Sequence, residues 1–314
     1  MFTRSMVITI YTAYGGRDGI QVALRSKNIY GPYEQKVVIY DTTRDVNFGI
    51  HQGALIKTQT GEWWTMLFVD SGPFGRFPSL QPVTWKDRWP MVGVNGKAVV
   101  TYKKPNVGKN YPVKTFPTSD EFNEKTLGMQ WGWNHNPDPT NWSLLQRPGY
   151  LRLTAGKIVS NFREARNSLT QRTFTYYDDS ISAFGETKMD VSKMRDGDIA
   201  GLAIFQDPYA YIAVKQMNGS KYIVMVNNGT TIDSAVFNSS AVYLRTIASN
   251  STGKAYFEYS PDNEQFTPLG NQLSMRFNLS IFTGNKFCLF NYPTKGIGGY
   301  VDFDWFRMDA YKPK

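Results

Sequence analysis

The chain has 314 residues, 41% of them apolar and 19% charged, with a net charge of +9. That length supports two cores, and the composition excludes a disordered chain. The basic residues are dispersed, densest in "YKKPNVGK", so no nucleic-acid stripe is predicted. One cysteine, Cys288, excludes an intrachain disulfide and a thiolate metal cluster. No apolar run reaches the ~18 residues of a membrane helix. The apolar part of "MFTRSMVITIYTAYGG" is too short for a signal peptide, which leaves the compartment unknown.

In chain order, the pattern is alternation and short apolar runs bounded by Gly, Pro, Asn and Asp, with no long amphipathic helix. "MVITIYTA", "IQVALRS", "EQKVVIY", "GALIKTQ" and "EWWTMLFVD" predict strands in the first hundred residues. The last two read as a hairpin turning at "QTGE". Residues 106–115 read as a linker between a part at 1–105 and a part at 116–314. The second part carries strand patterns at even spacing, from "GYLRLTA" through "IAGLAIFQ" and "KYIVMVNNG" to "GYVDFDWFRM". That predicts an antiparallel sandwich of the jelly-roll kind. Five strands are too few for a self-sufficient first domain, because a propeller-type blade needs neighbours in a ring.

No zincin, nucleophile-elbow, P-loop or dinucleotide motif is present, and there are only two histidines, His51 and His135. What remains is carboxylate chemistry, an oxygen-held metal, or binding alone. Glu62, in the hairpin turn, is expected in solvent. Asp70 ends an apolar strand before "SGPFGRF" and is either a cap or a cleft residue. His51 is either a loop histidine satisfied locally or a site residue. Arg76, between Phe74 and Phe77, is either a stacked surface arginine or a fork for a sugar or an acid. Trp131, Trp133, His135 and Trp142 group together, either as sandwich core or as an aromatic platform for sugar rings. Alternation in "VDFDWF" puts Val301, Phe303 and Trp305 on one face. Asp302 and Asp304 then share the other, about 7 Å apart, either solvated or sharing a hard cation.

"VALRSKNIYGPYEQKVV", "IHQGALIKTQTGEWWTMLF", "GRFPSLQPVTWKDRWPMVG", "WGWNHNPDPTNWSLLQRPGYLRL" and "FCLFNYPTKGIGGYVDFDWFR" together resemble glycoside hydrolase family 43. The resemblance runs from about residue 11 to 309. It implies an all-β chain: the C-terminal part of a five-bladed β-propeller followed by a concanavalin A-like β-sandwich. The implied activity is exo-hydrolysis of xylosyl or arabinosyl linkages with inversion. A base and an acid carboxylate act about 6.5–9.5 Å apart on a xylo- or arabino-oligosaccharide. The resemblance gives His51 of "HQG" a place beside the sugar, holding a water on a central Ca²⁺. It gives Arg76 the sugar pocket and makes Phe282 a pocket-closing residue. Asp304, with Asp120, becomes the expected holder of a structural Ca²⁺.

The match departs from the family at one point. Met1 aligns just downstream of the family's general acid, so the base, the pKa modulator and the acid all have no counterpart here. The expectation is an incomplete chain, with little activity unless a second copy or a companion chain supplies the missing blades. The alternative is a non-catalytic carbohydrate-binding or architectural module.

Overall fold

The computed structural model describes residues 8–13, 19–40, 49–112, 114–173, 182–277 and 283–311, the first stretch as backbone only. The chain divides into two compact units, Met1–Lys114 and Thr115–Lys314. No α-helix occurs among the described residues.

In the first unit β1 (Ile8–Ala13), β2 (Ile20–Ser26) and β3 (Glu34–Tyr40) form one antiparallel meander. β4 (His51–Lys57), β5 (Trp63–Asp70), β6 (Arg76–Lys86) and β7 (Trp89–Val92) form a second. The sequence pattern missed β6 and β7, because β6 carries Pro78 and Pro82, which argue against an interior strand. Their placement explains the tolerance. Pro82 turns its carbonyl away from β5 to accept from Gly93 N at 2.8 Å. The absent N–H therefore lies on the β7 side too, and Pro78, four residues back, has the same orientation. The β5–β6 ladder loses no donor.

Side-chain alternation divides the second sheet. Leu67, Val69, Val83 and Val92 pack with Ala23, Val38 and Ile39 of the first meander. The opposite face carries Ile56, Met66 and Leu80, which are 43%, 40% and 38% exposed. The β4–β5 hairpin turns through Thr58–Gly61, with Gly61 N donating to Thr58 O. Glu62 is not left in solvent as expected. It accepts from Asn106 N at 2.9 Å and Trp64 Nε1 at 3.1 Å. These bonds, the one from Asn106 first, hold its pKa below the usual value.

The second unit opens with β8 (Gly132–Trp133), β9 (Trp142–Ser143), β10 (Leu151–Thr154), β11 (Leu169–Arg172) and β12 (Ser182–Asp190). β13 (Asp198–Phe205), β14 (Ala210–Met217), β15 (Ser220–Asn227), β16 (Thr230–Phe237) and β17 (Ala241–Ser249) follow. β18 (Lys254–Ser260), β19 (Thr267–Pro268), β20 (Leu273–Ser274), β21 (Lys286–Pro293) and β22 (Tyr300–Tyr311) complete it. One sheet has the order β16-β15-β14-β13-β21-β11-β8. The other has β19-β18-β17-β12-β22-β10-β9, with β20 also on β18.

The middle strands of the first of these sheets, β13, β14 and β21, are buried on both faces. One row, Ala203, Tyr211, Val226, Cys288 and Phe290, packs under Phe162 of a single 3-10 turn. The alternate row points toward the other sheet, where Phe287 comes so close that a Cβ on Gly185 would lie 2.8 Å from its ring. Double burial is why "IAGLAIFQ" and "KFCLFNY" read as continuous apolar runs rather than as alternation. Cys288 is fully buried, and that burial pushes its thiol well above the usual range.

The outer face of the second sheet carries a charge ladder. Arg307, Glu186, Arg245 and Glu258 stand opposite one another across four strands. Arg245 pairs with both Glu186 (2.6 Å) and Glu258 (3.5 Å). The expected alternation of "VDFDWF" fails here. Lys188 pairs with Trp305 but Met189 with Phe303, so Asp304 is the extra residue of a bulge. Trp305 consequently turns to the outer face, under the Arg307 guanidinium at 4.2 Å.

Candidate functional site

The site candidates of the first unit gather at one end of β4, β5 and β6. Register sets His51 opposite Phe68, and Asp70 opposite Arg76. All four lie on the face of this sheet turned away from the unit's core.

"HQG" is a β-bulge. Between His51 and Ala54 the chain advances three residues while β5 advances two, from Phe68 to Met66. Gln52 takes φ 51°. A Cβ on Gly53 would sit 1.7 Å from the Met66 carbonyl oxygen, so only glycine fits there. Gln52 N donates to Gln21 Oε1 at 2.9 Å, which ties the bulge to the neighbouring meander. The bulge re-aims His51 relative to the rest of β4.

His51 is 3% exposed. Its Nδ1 lies 2.7 Å from Gly49 O. A carbonyl only accepts, so Nδ1 carries the hydrogen, and in the neutral ring Nε2 is an acceptor. The imidazole packs at 4.8 Å, tilted, on the Phe68 ring. The Arg76 guanidinium stacks on that same ring at 4.1 Å. Its Nε donates to Asp70 Oδ1 at 2.9 Å. The Asp70 side chain is 5% exposed and that of Arg76 27%. Asp70 therefore orients the Arg76 guanidinium. Phe68 escaped the sequence reading. The period-2 pattern Trp64, Met66, Phe68, Asp70, anchored by the hairpin turn, was the signal that could have found it.

The expected Ca²⁺ ligands of the second unit do not fit a shared cation. Asp304 Oδ2 is 2.7 Å from Lys188 Nζ. Asp120 accepts from Trp131 Nε1 at 2.8 Å and Phe122 N at 2.9 Å. Asp302, the other acid of "VDFDWF", is held by Arg152 (2.7 Å) and Arg147 (3.1 Å). Among the described residues no three His, Cys, Asp or Glu side chains converge as a metal set. Phe282 lies outside the described residues. Of the tryptophans, Trp133 and Trp142 pack on one another at 5.0 Å, partly buried.

Residues 119–309 match the family described as "Beta xylosidase C-terminal Concanavalin A-like domain". The chain belongs to glycoside hydrolase family 43. The family 43 chain is 36% identical to a β-xylosidase of Formosa agariphila over 95% of its own length and 54% of the relative's. A putative β-xylosidase of Xylanibacter ruminicola is 33% identical, covering 83% and 48%. Among solved structures, a bifunctional GH43-CE protein of Bacteroides eggerthii superposes with TM-score 0.83 and 39% identity, covering 99% of this chain and 40% of that one. The GH43 protein BlXynB of Bacillus licheniformis gives 0.80 and 26%, covering 99% and 64%. The family 43 chain thus spans about half the length of the curated relatives it matches.

Proposed function

We propose that these residues serve a family 43 glycosidase that removes xylosyl or arabinosyl units from hemicellulose with inversion. In this reading residues 1–105 are closing sheets of a five-bladed propeller, and His51, Phe68, Asp70 and Arg76 form part of its sugar pocket. The observation that carries it is the stack of His51 and Arg76 on Phe68, with Asp70 fixing the guanidinium. An arginine whose plane and height are both fixed grips adjacent hydroxyls with little further loss of entropy. His51 Nε2 accepts from a hydroxyl or a bound water.

The acid and base are not among the residues assigned to the pocket. In this reading Asp70 serves Arg76, and both carboxylates come from other sheets, on the same polypeptide or on a companion chain. The exposed Ile56, Met66 and Leu80 beside the site suit that contact. Losing an acid or a base costs about 10²–10⁴-fold, so the chain alone should release no measurable 4-nitrophenol from its β-D-xylopyranoside or α-L-arabinofuranoside. Fused behind the N-terminal half of the Formosa agariphila relative, it should restore turnover, and Arg76→Ala should lower that turnover by about 10²-fold. Turnover by the chain alone that Asp70→Asn abolishes would make Asp70 catalytic and overturn the assignment.

A further inference from the structure

A second site lies in the other unit, on the outer face of the sheet that carries the charge ladder. Two adjoining hollows of about 620 and 820 Å³ open there, and Glu258 and Tyr311 line both. The register explains the floor. Phe184, Ile247 and Tyr256 stand directly opposite across β12, β17 and β18. Ser182 and Tyr311 form the next row. At the ~4.8 Å strand spacing, the Phe184 and Tyr256 backbones are about 10 Å apart, the span of one to two sugar rings. Tyr256 is 38% exposed, although the Ile247 beside it is buried. Around this apolar floor stand uncharged hydrogen-bonding groups: Gln265 on one side, Asn271 and Ser249 on the other.

Among the described residues the one cation lining the groove is already paired, and Glu258, Glu264 and Asp309 are the groove's acids. Arg245 contacts Glu186 and Glu258, and its plane lies 3.4 Å from the Phe266 ring centroid. An arginine so neutralised selects no anion, and no set of acids gathers here for a cation. An aromatic floor edged by amides, hydroxyls and carboxylates, all able to bond to hydroxyls, suits a ligand that has apolar ring faces and many neutral hydroxyls.

We propose that this groove is a binding site for a neutral oligosaccharide, separate from the His51–Arg76 pocket. It needs no catalytic group, so it stands or falls apart from the glycosidase reading. The test is calorimetric titration of the full chain with xylohexaose and, separately, with inorganic phosphate. Saturable binding of xylohexaose is expected, with none of phosphate. Tyr256→Ala and Gln265→Ala, both at exposed positions, should each weaken it about tenfold while leaving the unfolding temperature in place. Three results would overturn the proposal: no xylohexaose binding up to roughly 10 mM, phosphate binding the tighter, or affinity that survives both groove substitutions and disappears in His51→Gln.

Discussion

The two units are built from the same antiparallel hairpins but bury them differently. In the second unit β13, β14 and β21 are covered on both faces, by the opposing sheet and by the turn that carries Phe162. In the first, one face of the sheet of β4–β7 packs on the first meander, while the other buries Trp64, His51 and Asp70 but presents Ile56, Met66 and Leu80 to solvent. The difference separates strands covered on both faces from a sheet that leaves apolar side chains exposed on one of them. Apolar burial contributes about 25 cal/mol per Å², and the first unit leaves part of that unused.

The largest expected effect tests that asymmetry directly. Limited proteolysis should cut within residues 19–112 well before 115–311. About 1.4 kcal/mol of difference in opening free energy makes the rates differ tenfold. Equal cutting of both units would break the comparison.

A local substitution sharpens it. Gly53→Ala drives a methyl into the Met66 carbonyl, so the bulge must open and His51 must move. We expect a loss of about 3 kcal/mol in denaturant unfolding, confined to the first unit. Unchanged stability would remove the bulge from the account of His51.

The third prediction belongs to the second unit and concerns pH. Asp198 is fully buried, with Oδ1 unpartnered and Oδ2 accepting from Arg195 N at 2.8 Å. Burial pushes its pKa up from 3.8 to about 6. The folded state therefore holds the proton more tightly than the unfolded one. Stability from this carboxyl is fully present below about pH 4 and is lost as pH rises to 6, by about 2–3 kcal/mol in all. Asp198→Asn should flatten that slope and raise stability at pH 7 relative to pH 4. A slope that persists in the variant would assign it to another group.

Several features of this outcome were written in the chain. Alternation and continuous apolar runs specify strands, and a continuous run such as "IAGLAIFQ" specifies burial on both faces. His51 and Arg76 stood out through motifs that resemble a family, and Gly53 is the residue that makes the "HQG" bulge possible. Other features needed the third dimension. The prolines of β6 hid a strand until the register showed their missing donors facing away from β5. The bulge at Asp304 moved Trp305 to the outer face and gave Asp304 to Lys188, because one inserted residue reverses every side chain beyond it. Phe68 entered the candidate site, and Asp70 was seen to hold Arg76, only once the strand ends met. Local pattern fixes what each residue can do, since propensity and period act within a few neighbours. Partners lie many residues apart in the chain, so which charge is spent, and which remains for a ligand, was decided by the fold alone.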